Sequence, residues 1–284
     1  MSSEADIIKL YDTVDLIFDW SRAEKFMRCP KEAYYAHEIG LVSEEKVSHH
    51  LDFGKRLHAH LETGNESEWE GFKETKLYPK DFKVKQKGLD LVKMYHAKFH
   101  KDNARFGVIA NEYAFGDIIN YVSMLTSKKI LIKGKIDQIV IDKETGLYYA
   151  KDYKTTGTYI DEETFFNSYY LGAQNTFYLE ALAKEYGADK VGGFIVDVFR
   201  VTRTDTDWSD IFRRRIEANE IVRYNYMHDI HQWLNNKDTG YWHKQPMSCK
   251  RYNRMCDFYN LCRFGESETE LGKFKKRAKD DFHR

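Results

Sequence analysis

The sequence predicts an α/β protein in which a mixed central β-sheet is flanked by helices. Three observations carry that prediction. Residues 106–156 are rich in Val, Ile, Tyr and Phe, a helical pattern runs from Asp161 to Gly187, and VGGFIVDVFRV at 191–201 again has strand character. A strand that follows a helix can lie beside the earlier strands, which puts the helices on the faces of the sheet.

Each element has a local reason. DLIFDWSRAEKFMRCPKEAYYAHEIG (15–40) holds Ser21 with Glu24 three residues on, the capping-box signature of a helix start, and Gly40 as a stop. Pro30 should divide this segment into two short helices with Cys29 at the joint. From 51 to 105 the chain is charged and helical in pattern, interrupted near Pro79, and Lys80, Lys83, Lys85 and Lys87 form a basic cluster expected on a solvated face.

FGVIANEYAF, KKILIKGKIDQIVID and GLYYAKDYKTT follow as three antiparallel strands, the last two joined by a turn through Lys143, Glu144, Thr145 and Gly146. One long helix should then run from its cap at Asp161 to Gly187. After the strand at 191–201, a helix is expected from Trp208 to Leu234, with Arg213, Arg214 and Arg215 near its start. The remainder reads as irregular and holds three of the four cysteines. We therefore expect a single domain over 1–284, with 38–105 as a helical insertion and 240–284 as a cysteine-rich C-terminal segment.

Composition narrows the function. Lys plus Arg and Asp plus Glu balance at 45 each, so a nucleic acid would be held by local patches and not by overall charge. The N-terminus MSSEADIIKLYDTVD lacks a basic start and an apolar core, and no run of about 18 apolar residues occurs. A soluble intracellular protein is expected, cytoplasmic or at the nucleoid, with no membrane contact. Four cysteines in 284 residues do not make a disulfide framework, and clustered thiols in a reducing compartment point to metal or redox chemistry.

The strands at 134–156 (GKIDQIVIDKETGLYYAKDYKTT) raise a question, because Asp137, Asp152 and Lys154 sit in segments that otherwise read as core. Buried charges need a partner or a metal. A local Asp–Lys pair on a solvent-facing strand side is one answer. The other is phosphodiester hydrolysis, which needs a divalent cation to activate water and neutralise developing charge, with a lysine to position the nucleophile. Mg²⁺ takes oxygen ligands and keeps several waters, so two carboxylates on adjacent strands suffice. Strand periodicity puts Asp152 and Lys154 on one face and Tyr153 on the other.

The pattern G-x-I-D, a turn, then D-Y-K-T resembles the PD-(D/E)xK nuclease superfamily, in particular its RecB-type branch, with Ile136 where the proline commonly precedes the first Asp. GKRLHAHLE (54–62) is similar to the branch's Gly-x-x-x-His helix, which implies a metal-ligand role for His58. By themselves His58 and His60 read as polar residues of a charged helix. QNTFY (174–178) resembles the Gln-x-x-x-Tyr motif, whose i, i+4 spacing puts Gln174 and Tyr178 on one helix face. The resemblance implies substrate contact or support of the catalytic residues for this pair; alone, Tyr178 reads as a core aromatic. Glu112, in the strand before the hairpin, matches a position where the branch often carries an acidic residue; an exposed strand glutamate is the other reading.

Cys29, Cys249, Cys256 and Cys262 are the four cysteines, and six and five residues separate the last three. Zinc modules favour pairs two to four residues apart, whereas a cubane iron–sulfur cluster takes four thiolates at irregular spacing. The arrangement resembles iron–sulfur RecB-type nucleases, which carry one cysteine before the nuclease core and three after it; SRAEKFMRCPKEAYY (21–35) looks like the segment around their first cysteine. Their second and third cysteines commonly stand two residues apart, so the middle gap here departs from the pattern. Four unrelated reduced thiols is the plainer alternative.

The resemblance covers 21–262 and implies a restriction-endonuclease-like core with helical insertions. It also implies a [4Fe–4S] clasp joining the N- and C-terminal segments, and hydrolysis with one or two Mg²⁺ or Mn²⁺ ions. His58, Asp137, Asp152 and the Tyr153 carbonyl would hold metal, Lys154 would orient water, and Arg213, Arg214, Arg215 and the Lys80–Lys87 cluster would contact phosphates. The expected activity is exonucleolytic cleavage of single-stranded DNA, with tyrosines stacking on bases. A structure-selective endonuclease, a non-catalytic subunit of a repair, recombination or CRISPR-adaptation complex, and a zinc-stabilised nucleic-acid-binding protein are the alternatives. No G-x-x-x-x-G-K-[ST] motif is present in the sequence, so unwinding would come from a helicase partner. An oligomer is compatible with the sequence.

Overall fold

The computed structural model describes residues 4–43, 49–72, 84–122, 127–157, 161–170, 172–202, 206–251 and 254–277. Pro79, Lys80 and Lys83 lie outside the described residues. The chain begins with α1 (Glu4–Lys9), β1 (Leu16–Asp19), α2 (Trp20–Arg28), α3 (Pro30–Ala33), a π-helical turn (Tyr34–Glu38) and β2 (Leu41–Ser43). Next come α4 (His49–Thr63), α5 (Val84–Lys98), α6 (His100–Arg105), β3 (Phe106–Val122), β4 (Ser127–Asp142), β5 (Tyr148–Thr156), α7 (Glu162–Tyr170), α8 (Ala173–Tyr186), β6 (Val191–Arg200), β7 (Ile211–Glu217) and α9 (Glu220–Thr239). The C-terminal part is built of β8 (Lys250–Arg251), β9 (Arg254–Met255), α10 (Tyr259–Phe264), α11 (Glu268–Leu271) and β10 (Phe274–Lys276).

Among the described residues the central sheet has six strands in the order β1-β4-β5-β6-β7, with β3 against β4. The pairs β3–β4, β4–β5 and β6–β7 are antiparallel, whereas β1–β4 and β5–β6 are parallel, which gives the expected mixed sheet. The β4–β5 turn closes at Gly146, whose N–H donates to the Asp142 carbonyl at 2.7 Å and whose φ of 72° needs no Cβ.

Both faces of the sheet are covered. On one, Ile136, Ala150, Phe194 and Val196 pack against Phe177 and Leu182 of α8 and Trp233 of α9. On the other, Tyr153, Phe199 and Ile211 pack against Phe53 and Leu57 of α4 and Leu91 and Tyr95 of α5. β6 is buried at every position, as its largely apolar run requires of a strand covered on both sides. Each large side chain so buried contributes roughly 1.5–3 kcal/mol.

Several local expectations are corrected. The first helix is capped by Asp19, which accepts the Arg22 N–H at 2.9 Å, and Ser21 instead donates its hydroxyl to the same carboxylate. The cap moved because Leu16–Asp19 is drawn into the sheet as β1, which fixes the turn at Asp19. The helix 161–187 is capped by Asp161 as expected but breaks at Gly172, whose extended backbone (φ −72°, ψ 144°) restarts it as α8.

The segment at Arg213–Arg215 is a strand and not a helix. Ile211, Phe212 and Ile216 are buried against the layers beside it, and the open edge of β6 satisfies its backbone. The helix begins only at Glu220, after Asn219 caps it through the Ile221 N–H. Lys87 is not on a solvated face: it is 5% exposed and ion-paired to Asp210 at 3.0 Å. The C-terminal segment is less irregular than expected, because β10 pairs antiparallel with β2. Tyr35 also packs on Phe258, and Lys31 reaches Glu266 at 3.0 Å, so ordinary contacts join the two ends of the chain.

Candidate active site

The site forms where the sheet splits. β3 holds one edge of β4 from Ser127 to Asp142. On the other edge β1 covers Ile130–Lys133 and β5 covers Gln138–Ile141, leaving residues 134–137 uncovered between them. Asp137 is therefore one residue past the last ladder pair, Gln138 with Lys151, and by register it faces Asp152. Ile130, Ile132, Ile136 and Ile139 all enter the same core, so the alternation of β4 slips by one residue at this point. On β3, Glu112 lies between the pairs Asn111–Gln138 and Tyr113–Ile136 and has φ 49°, the only left-handed non-glycine among the described residues. Such backbone costs on the order of 1–3 kcal/mol, and strain of this kind gathers at functional sites.

Both helix layers reach the gap. From α8, the Gln174 side-chain amide donates to Asp152 Oδ1 at 2.7 Å and to the Tyr178 hydroxyl at 2.9 Å, and that hydroxyl donates to the Lys135 carbonyl at 2.7 Å. The i, i+4 pair thus ties Asp152 on β5 to the uncovered stretch of β4. From the opposite layer, α4 approaches β5 closely because Gly54 has no side chain; a Cβ there would stand 3.1 Å from Thr155 Oγ1. One turn later His58 Nδ1 lies 3.3 Å from Asp137 Oδ2, which also accepts the Tyr153 N–H at 3.1 Å.

Electrostatics follow from this crowding. Burial first, and Asp152 second, push the Asp137 carboxyl up to about 7. Burial lowers the pKa of His58, so the imidazole stays neutral at physiological pH with a lone pair to offer. Asp152 Oδ2 is buried and receives no well-directed hydrogen bond, although the Lys154 ammonium sits against it. Asp152 and Lys154 do share a face, and Tyr153 points into the opposite core. A buried oxygen without a donor, a second carboxylate and a neutral imidazole are the donor set of an oxygen-preferring divalent cation. Among the described residues no three His, Cys, Asp or Glu side chains close on one ion position. Lys154 holds Asp152 while His58 and the Tyr153 amide hold Asp137.

The remaining candidates divide. Glu112 forms an ion pair with Lys135 beside the gap. Arg213 turns inward to Asp197 at 2.5 and 2.9 Å, in a buried network with Tyr95 and Lys151. Its guanidinium is committed there. Arg214 lies by Glu163 and Tyr170, and Arg215 over the ring of Tyr149, two strands away from β5. Trp20, which sequence reasoning did not single out, has its ring centroid 6.0 Å from the Lys154 ammonium. No local signal marks it; the parallel pairing of β1 with β4 brings it there.

Cys29, Cys249, Cys256 and Cys262 line one cavity of about 240 Å³ together with Glu32 and Lys244. They do not converge on a single ion position. Burial pushes Cys256 up to about 11 and also raises Cys262, so both are thiols near neutrality.

Comparison with known proteins agrees with this geometry. A family model described as PD-(D/E)XK nuclease superfamily matches residues 20–263. No curated protein matches. Among solved structures, a "putative exonuclease" from Eubacterium rectale is similar at TM-score 0.51 with 10% identity, covering 94% of each chain. A structure named SSO0001 is similar at TM-score 0.33 and 12% identity over 76% of this chain and 75% of that one, too distant to carry an argument.

Proposed function

The chain belongs to the PD-(D/E)XK nuclease superfamily, and from that membership we propose that it is a divalent-metal-dependent DNA nuclease of the RecB type, acting as an exonuclease on single-stranded DNA. The observation that carries the reading is Asp137 facing Asp152 across the split between β4 and β5, with Lys154 and His58 against them. The exonuclease description of the Eubacterium rectale protein favours action at an end.

His58, Asp137, Asp152 and the Tyr153 carbonyl would hold Mg²⁺ or Mn²⁺, with Glu112 as a further carboxylate at the rim. The cation supplies water activation and charge neutralisation at the phosphoryl oxygens. Lys154, one strand step from Asp152, orients the attacking water and meets the charge that grows on the non-bridging oxygens. Gln174 and Tyr178 keep Asp152 in one rotamer while α8 excludes water behind it. Arg214 and Arg215 remain outward cations for the DNA backbone; Arg213, committed to Asp197, supports the sheet instead. Breakage of the P–O bond leaves the proton of the attacking water to solvent or to the leaving oxygen.

We assign the four cysteines to a [4Fe–4S] cluster of structural role. One shared cavity and irregular spacing support it, and thiols raised by burial need the positive charge of iron to become thiolates. A helicase, recombination or CRISPR-adaptation complex is the proposed setting. The test is cleavage of end-labelled single- and double-stranded DNA by anaerobically purified protein with Mg²⁺, Mn²⁺ or EDTA, beside Lys154→Ala. A ladder that needs metal and falls on the order of 10²–10³-fold in the variant supports the reading. Equal DNA binding with no cleavage by either protein would leave a binding subunit. Iron and sulfide in the brown protein, lost in Cys256→Ser, test the cluster; zinc or bare thiols exclude it.

A further inference from the structure

The alternation of β4 slips between Ile136 and Ile139, which enter the same core, so the pleat by itself does not fix where Asp137 points. Across from it on β3, Glu112 takes left-handed backbone. Regular pleating sets strand register elsewhere in a sheet, and here it is interrupted at the residues of the candidate site. Something else must hold β3, β4 and β5 in line.

A row of polar side chains crosses the sheet at this height. Gln138 Nε2 donates to Asn111 Oδ1 at 2.9 Å and so joins β4 to β3. Lys151 Nζ donates to Gln138 Oε1 at 3.4 Å, joining β5 to β4, and lies 3.6 Å from Asp197 Oδ2 on β6. Asp197 in turn accepts from the Tyr95 hydroxyl of α5 at 2.8 Å and from Arg213 of β7 at 2.5 and 2.9 Å. Strands β3, β4, β5, β6 and β7 contribute one member each. Three members are chain neighbours of the site: Asn111 precedes Glu112, Gln138 follows Asp137, and Lys151 precedes Asp152. The Lys151 ammonium also lies 5.1 Å from the ring centroid of Tyr153, whose backbone N–H donates to Asp137.

Gln138, Lys151 and Asp197 are 8, 7 and 0% exposed. Apolar side chains would fill these positions at lower cost, because a buried amide or charge gives up hydration that its partners only replace. What the polar row adds is a single alignment: amide, ammonium and carboxylate meet in one stagger of the strands, where apolar side chains tolerate several. We propose that Asn111, Gln138 and Lys151 are positioning residues that hold Asp137 opposite Asp152 at the spacing a divalent cation needs, with Asp197 and Arg213 anchoring the far end of the row. The consequence for cleavage rests on the nuclease reading, whereas the alignment and its effect on cation binding do not.

The test compares wild type with the double variant Gln138→Leu and Lys151→Met, which puts apolar side chains of similar size at the two buried positions and leaves Asp197 paired to Arg213 and Tyr95. Asn111→Ala, at the exposed end of the row, serves where the double variant fails to fold. Urea unfolding in EDTA reads the fold, the rise of Tm with Mn²⁺ reads the cation pocket, and steady-state cleavage of single-stranded DNA reads the reaction. In EDTA the double variant should be as stable as wild type or more so. Its Mn²⁺ affinity, taken from the Tm rise, should fall about 10-fold or more, and kcat on the order of 10–100-fold with KM nearly unchanged. Asn111→Ala should move affinity and kcat the same way by several-fold. A folded variant whose Tm rise and kcat equal those of wild type overturns the positioning role even if the protein cuts DNA, and so does a loss confined to stability in EDTA. If Mn²⁺ stabilises wild type and not the variant while neither protein cuts, the alignment stands and the nuclease reading falls. A wild type that Mn²⁺ neither stabilises nor activates overturns both.

Discussion

Asp137→Asn should make the metal-free protein more stable, and more so at high pH. The folded carboxyl is held near 7 by burial and by Asp152, against 3.8 for an aspartate free in water. An acid whose folded pKa is raised stabilises fully below the unfolded value and loses that contribution as pH climbs through the folded one. The window therefore runs from about pH 4 to 7. Linkage gives an ionisation penalty of about 1.7 kcal/mol at pH 5 and about 4 kcal/mol at pH 8, so the pH-dependent part is at most about 2.5 kcal/mol. Asparagine keeps the oxygen that accepts the Tyr153 N–H, so little else changes. Urea unfolding of both proteins in EDTA at pH 5 and pH 8 measures it. The variant's advantage should grow by about 1–2.5 kcal/mol between the two pH values and vanish when Mg²⁺ is added to wild type, while the variant loses cleavage. A variant less stable than wild type at pH 8, or an advantage equal at both pH values, would refute the argument that two crowded carboxylates await a cation.

Two further predictions concern the supports of the site. Gln174→Leu removes the amide that donates to Asp152 Oδ1, leaving a buried carboxylate oxygen without its donor. It should cost about 1–3 kcal/mol in thermal or chemical unfolding and lower kcat more than it raises KM. Asp197→Asn takes the carboxylate from Lys151, which is buried, and from Arg213, which also reaches Asp102 at 3.3 Å. The loss should be about 3–5 kcal/mol, read by chemical denaturation, because the buried Lys151 is stranded; a change below about 1 kcal/mol would mean that water or another group already neutralises it.

Much of the candidate site was legible because its signals are local. Alternation put Asp152 and Lys154 on one strand face. The four-residue steps from Gly54 to His58 and from Gln174 to Tyr178 became single helix faces looking at the same gap. Gly172 broke a helix that the pattern ran through, because extended backbone at one glycine outweighs the helix propensity around it. Arg213–Arg215 were misread for a different reason. Three arginines in a row suggest a solvated helix, yet Asp197 on β6 draws the first inward and the neighbouring strand supplies backbone partners.

By itself the sequence determined the order of elements along most of the chain, the two aspartates and lysine in paired strands, and the four cysteines divided between the two ends. Only the tertiary structure decided that β1 and β5 share one edge of β4, and so that a gap opens at Asp137 with Trp20 on its rim. It also decided that Lys87 is paired with Asp210 and Arg213 with Asp197. The division follows from range. Periods of two and 3.6 residues are written in neighbouring side chains, whereas strand pairing and charge pairing depend on partners as far as 235 residues apart, such as Lys31 and Glu266, which no local window contains.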